Sequence, residues 1–173
     1  MTQPRLETDR LILRPLGAAD AAAMTPLADD PGVARMTTAI PHPFTIDVAE
    51  SFIARMRAAD PREEVVFAIL GREGPFMGVV GLHPKPGLGP ELGYWLGRPF
   101  WGAGHMSEAV AAVLAWAAQG WGRRLLTSGH FADNPASGRV LVKAGFLYTG
   151  EVGDRYSIAR GETAATRMMI WLA

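Results

Sequence analysis

Trp101-Gly102-Ala103-Gly104-His105-Met106-Ser107-Glu108-Ala109 sets two glycines, one residue apart, between an apolar stretch that reads as a strand and an alanine-rich stretch that reads as a helix. The start of a helix carries unpaired backbone N–H groups and the positive end of the helix dipole. Glycine lets an anion approach that backbone with no Cβ in the way. Strand, Gly-rich turn and helix therefore read as a diphosphate cradle. The plainer reading is a tight strand-to-helix turn, and this stretch alone does not choose between them.

Some thirty residues on lies Asn134-Pro135-Ala136-Ser137-Gly138-Arg139-Val140-Leu141-Val142-Lys143-Ala144-Gly145-Phe146. Asn134 suits the N-cap, Pro135 the first helical position and Gly145 the C-terminal stop, so a short capped helix is predicted, with a strand from Phe146. Taken in order, the two stretches (a strand, WGxG, a helix, a strand, then NxxS and KxGF) resemble the GNAT family of acyl-CoA-dependent N-acyltransferases. Within it they are most similar to the branch that includes the ribosomal-protein N-terminal acetyltransferases. Leu6-Glu7-Thr8-Asp9-Arg10-Leu11-Ile12-Leu13-Arg14-Pro15 is similar to that branch's first strand. The resemblance covers nearly the whole chain.

Composition narrows the classes. The 173 residues are 49% apolar and 20% charged, with a formal net charge of zero, which points to one ordered domain spanning residues 1–173. Zero net charge argues against nucleic acid as a partner. With no cysteine, a disulfide framework, a thiolate metal site and a cysteine nucleophile are excluded. Neither a signal-peptide core nor an apolar run of membrane length is present, so a cytoplasmic location away from membranes is expected. A GxGxxG dinucleotide fingerprint is set aside, because Met106 and Ser107 follow where the third glycine is needed.

Apolar alternation predicts strands at 10–16, 65–70, 77–82, 92–96, 125–130, 146–152 and 168–172. Helices are predicted at 20–29, at a segment opened by an Asp47/Glu50 capping box, at 104–119 and at 135–144. The first helix is expected to end near Asp30-Pro31-Gly32. Asp154 to Thr166 is read either as a loop or as the arms of a hairpin. The fold class is α+β, and the resemblance implies a mixed, mostly antiparallel twisted sheet of about seven strands flanked by about four helices. It also implies two parallel strands splayed apart at the centre to receive acyl-CoA.

Moving an acyl group from a thioester to an amine needs a neutral amine, a stabilised oxyanion and a proton for the leaving thiolate. Acetyl-CoA is the implied co-substrate, an amine acceptor (a protein N-terminus or a small molecule) the implied partner, and no metal is called for. The resemblance assigns the diphosphate to the backbone N–H groups of Gly102, Ala103, Gly104, His105 and Met106, and the acyl carbonyl to the backbone of Leu96. Trp101 is read as a ligand contact or as packing, and Asn134 as a turn residue that touches pantetheine. Where most of the family places a tyrosine on the second helix, this chain has Leu141, leaving Ser137 as the hydroxyl for the thiolate. Its competing reading is a first-turn serine bonded to backbone. Glu91, His130 and His83 compete as general base. Phe44, Phe52, Tyr94, Trp95 and Tyr156 are read as acceptor-pocket walls or as core. A second function class, an acyl-CoA-binding module without turnover, follows from the missing tyrosine. A homodimer is left open.

Overall fold

A computed structural model describes residues 2–173. Its strands are β1 (Leu6–Glu7), β2 (Leu11–Pro15), β3 (Val65–Gly71), β4 (Phe76–His83), β5 (Glu91–Leu96), β6 (Leu125–Phe131), β7 (Leu147–Ser157) and β8 (Glu162–Leu172). The helices are α1 (Asp20–Ala28), α2 (Pro31–Ala34), α3 (Ile46–Ala58), α4 (His105–Gln119) and α5 (Pro135–Lys143). All eight strands form one sheet in the order β1-β2-β3-β4-β5-β6-β8-β7. Every pairing is antiparallel except β5 with β6, which is parallel.

Strands β3 and β4 are buried on both faces, and side-chain alternation sorts their residues between them. On β3, Val65, Phe67 and Ile69 join the core beneath α4 and α5, where Val110, Val113, Leu114, Ala117 and Leu141 are buried. Val66 and Ala68 join the opposite core beneath α1 and α3, with Met24, Phe44 and Ile53. On α3, Val48, Phe52 and Met56 pack against this second core while remaining partly exposed.

One expectation is corrected here and two are filled in. The Asp47/Glu50 capping box is not formed: α3 starts two residues earlier, after Thr45, and Asp47 falls in the first turn, where its charge faces the positive helix end. As expected, α1 ends at Ala28, just before Asp30-Pro31-Gly32, and that tripeptide does more than stop it. It opens α2, with the Asp30 carboxylate accepting from the Gly32 N–H at 2.7 Å. The 154–166 segment forms hairpin arms, since β7 and β8 pair from Val152/Arg167 out to Ser157/Glu162. The two extra elements, β1 and α2, are two and four residues long, too short to leave a periodic signal. Among the described residues no helix is long and apolar enough to cross a membrane.

Candidate active site

The parallel pair at the centre barely pairs. Its one register match is Glu91 with Thr127. Nearby, the Thr127 N–H donates to the Pro90 carbonyl at 2.9 Å and the Ser128 hydroxyl to the Leu92 carbonyl at 2.9 Å. Beyond that point β5 pairs only with β4 and β6 only with β8, so the facing edges diverge as a fork. A cleft of about 750 Å³ runs from the fork, past Gly93, Ser128, Gly129 and Ser137, to a roof formed by residues 36–44.

At the open end of β5 lies the Gly-rich turn. Gly102 (φ +78°) and Gly104 (φ +79°) both hold the left-handed conformation, and Gly104 is the residue immediately before α4. Among the described residues, the N–H groups of Gly102 to Ser107 have no hydrogen-bond partner in the protein. The turn is braced from behind. Arg10 donates to the Ala103 carbonyl at 2.9 Å and to Glu108 at 2.6 Å, and Thr8 donates to Glu108 at 2.6 Å. Burial raises the Glu108 pKa, but the hydrogen bonds from Thr8 and Arg10 outweigh it and hold the carboxyl below its usual value.

Trp101 is 47% exposed, donates its indole N–H to the Leu96 carbonyl at 2.7 Å and carries Arg98 over its ring at 5.2 Å. Arg98 in turn makes a two-pronged pair with Asp30, both contacts 2.6 Å, which lowers the Asp30 pKa to about 2. The indole and the arginine thus lock the turn to β5 and α2. His105 bonds the Phe100 carbonyl at 3.3 Å, and Met106 is buried in the core under α4.

Across the fork, the Asn134 side chain accepts from the Ser137 N–H at 3.2 Å, giving α5 its cap. The Ser137 hydroxyl lies 2.9 Å from the Tyr94 hydroxyl, and Tyr94 also reaches the Ser137 carbonyl at 3.0 Å. Burial pushes the Tyr94 phenol above its ordinary pKa, so it remains a neutral O–H group. Leu141, at the position where the resemblance expects a phenol, is fully buried. Tyr94 does line the cleft, as expected, and only its contact with Ser137 was not foreseen. Strand alternation was the available signal: Trp95 faces the α1/α3 core, so Tyr94 must face α5.

The candidate bases lie in different settings. Glu91 is clamped by Arg155, through a short contact and one at 3.0 Å, and by Lys85 at 2.7 Å. Burial raises its pKa, yet the two cations lower it further, so Glu91 holds its charge below the usual carboxylate value. His130 is buried beneath α5, with Nδ1 2.8 Å from the Phe131 carbonyl and Nε2 3.0 Å from the Tyr148 hydroxyl. The first contact requires a proton on Nδ1, which leaves Nε2 accepting from Tyr148. His83 faces the cleft, its Nδ1 2.7 Å from Glu64.

Phe44, Phe52 and Trp95 line the acceptor end with Met24, Ile40 and Val48. Tyr156 does not: Arg155 points into the cleft, so its neighbour points out and is 57% exposed. The roof is tied to the β7–β8 hairpin by Ser157 donating to the Thr37 carbonyl at 2.8 Å and the Ile158 N–H donating to the Thr38 carbonyl at 3.1 Å. Among the described residues no group of three or more His, Cys, Asp or Glu side chains is arranged to hold a metal ion.

Known proteins share this fold and identify the family. A family model described as an acetyltransferase (GNAT) domain matches residues 10–147. An uncharacterized N-acetyltransferase of Bacillus subtilis strain 168, YoaA, is 30% identical over 151 residues, covering 85% of each chain. Among solved structures, the ribosomal L7/L12 alpha-N-protein acetyltransferase RimL in complex with coenzyme A gives a TM-score of 0.85 at 18% identity, over 98% of both chains. The microcin C7 self-immunity acetyltransferase MccE, in complex with acetyl-CoA and AMP, gives 0.82 at 18% identity, over 96% of this chain and 94% of that one. At these identities the structural likeness is one of fold.

Proposed function

The chain belongs to the GNAT acetyltransferase family, and from that premise we propose that it moves the acetyl group of acetyl-CoA to a primary amine by direct attack in a ternary complex. The observation that carries this reading is the fork between β5 and β6, opening beside a braced turn whose six N–H groups, Gly102 to Ser107, have no partner among the described residues. The unpaired edge of β5 suits an extended amide chain such as pantetheine, added as one more strand. The N–H groups of Gly102, Ala103, Gly104, His105 and Met106 then meet the diphosphate, Asn134 meets the pantetheine and the Leu96 backbone meets the acyl carbonyl.

Ser137 and Tyr94 serve the leaving group. Their linked hydroxyls form a neutral donor chain that protonates the thiolate as the C–S bond breaks. A pair of this kind supports turnover over the alternative of an acyl-CoA-binding module, because it supplies the hydroxyl that Leu141 does not. Glu91, held charged between Arg155 and Lys85, acts as a fixed charge in the cleft wall, and His130, bonded at both nitrogens, orients Tyr148 and α5.

The acceptor is an amine on a protein N-terminus or a small molecule. The test is calorimetric titration with acetyl-CoA, with desulfo-CoA and NAD as controls, then an amine panel read by free-thiol detection. Binding of acetyl-CoA but not NAD, with thiol released on adding an amine, is the expected outcome. Tight binding without turnover across the panel returns the binding-module reading, and no binding of acetyl-CoA overturns both.

A further inference from the structure

Three pairs of residues in register build one face of the β4–β5 ladder: Val79 with Trp95, Gly81 with Gly93, and His83 with Glu91. The middle pair has no side chains, and the His83 ring lies across that gap. A Cβ on Gly81 would stand 3.0 Å from His83 Nε2, and one on Gly93 would stand 3.7 Å from it. The glycines therefore make room for the ring itself, on the cleft side of the sheet. The other ring nitrogen is committed. Nδ1 lies 2.7 Å from Glu64, whose side chain is 18% exposed and also lies 3.6 Å from Arg55 on α3. A carboxylate on Nδ1 holds the proton there and leaves the Nε2 lone pair outward. Among the described residues Nε2 has no hydrogen-bond partner.

We propose that His83, oriented by Glu64, is the general base that takes the proton from the attacking amine; this rests on the acetyltransferase reading above. Its rivals are less available, since Glu91 is clamped by two cations and His130 sits beneath α5 with both nitrogens bonded. In the step, the amine nitrogen forms the C–N bond to the thioester carbonyl carbon and passes one N–H proton through a bridging water to His83 Nε2, since Gly93, beside the ring, lies three residues along β5 from Leu96. The C–S bond breaks, and the thiolate takes a proton from the Ser137–Tyr94 pair. Solvent returns that proton to the hydroxyls and removes the one on His83, so the net products are amide and free thiol. The apolar wall opposite, formed by Phe44, Phe52 and Trp95, suits an amine with an apolar body.

The test offers acetyl-CoA with 2-phenylethylamine, a tetrapeptide with a free N-terminus, and a panel of further primary amines. On an amine that is accepted, His83→Ala is expected to lower kcat by about 100-fold, within the usual range for a lost general base, with KM for acetyl-CoA unchanged within about twofold. Glu64→Gln is expected to lower kcat about tenfold, as loss of an orienting carboxylate does. Added imidazole restores part of the His83→Ala rate but not that of Glu64→Gln, which a structural role would not produce. The pH profile of kcat loses one limb in His83→Ala. Arg55, Glu64, Lys85, Glu91 and Arg155 also face this part of the cleft, so the same profile in Glu91→Gln is the control and keeps the limb. Turnover in His83→Ala near the wild-type rate overturns the assignment while leaving the acetyltransferase reading intact. Wild-type protein that binds acetyl-CoA and acetylates no amine overturns both.

Discussion

The hydroxyl of Tyr94, on β5, lies 2.9 Å from the hydroxyl of Ser137, one turn into α5, and so joins the two sides of the fork. The phenol is buried and held neutral, the serine is placed by the Asn134 cap, and both are carried on regular elements. Such a pair keeps its geometry because packing, not a loop, sets it.

Removing either hydroxyl tests whether they act together. Ser137→Ala and Tyr94→Phe are each expected to lower kcat by roughly 10- to 100-fold, with acetyl-CoA affinity changed less than about threefold. The double variant should cost little more than one single variant, since residues of one chain are not additive. Thiol-release kinetics with calorimetry checks this. Unchanged kcat in Ser137→Ala would leave that serine a first-turn residue only.

Gly104 holds the left-handed conformation directly before α4, where the proposed cradle lies. Its φ of +79° disfavours any side chain, and an added Cβ would stand 3.5 Å from Arg10, an ordinary contact. Gly104→Ala should therefore lower the melting temperature by only a few degrees, and Gly104→Val should in addition weaken acetyl-CoA binding at least tenfold by placing a branched side chain at the phosphate approach. Unchanged affinity in both would remove Gly104 from the cradle.

Gly138 is required for space. A Cβ there would stand 2.6 Å from His130 Nε2 and 2.9 Å from the Tyr148 hydroxyl. Alanine is the better helix former by about 1 kcal/mol, but overpacking costs about 1–3 kcal/mol, so Gly138→Ala should destabilise by about 1 kcal/mol net. Urea unfolding measures it, and a stabilised variant would show that the His130–Tyr148 pair moves aside freely.

Asp20 is 6% exposed, accepts from Arg14 at 2.7 and 2.8 Å and takes the Gly17 N–H at 2.7 Å. Burial raises its pKa, and those hydrogen bonds lower it further, leaving it depressed. A depressed carboxyl contributes stability that is fully present above its ordinary value, near ~4, and is lost as pH falls through the folded value. Asp20→Asn should accordingly cost about 2 kcal/mol at pH 7, less than a fully buried pair because Arg14 is 30% exposed, and the gap should narrow below about pH 4. Denaturant titrations at pH 7 and pH 3 test it; equal gaps at both would mean that Asp20 charge is not what stabilises the folded state.

What was legible in the chain was local. Asn134, Pro135 and Gly145 mark a helix because cap, first turn and stop each act within four residues, and the helix runs where they put it, Pro135–Lys143. The turn before α4 was legible for the same reason, since two glycines one residue apart signal a conformation that few other residues adopt. The hairpin at 154–166 was legible only as one of two readings. Its polar residues lie on exposed strand faces and are held by cross-strand bonds, which leave no apolar alternation to read.

By itself the sequence determined the family, the order of the main elements and the Gly-rich turn before α4, all of which depend on spacing along the chain. Only the tertiary structure decided which side chains meet: Tyr94 with Ser137 across 43 positions, His83 with Glu64 across 19 and Glu91 with Arg155 across 64. Those meetings are set by strand register and by which sheet face each residue takes. Register depends on partners far away in sequence, and a shift of one residue would turn every side chain to the other face.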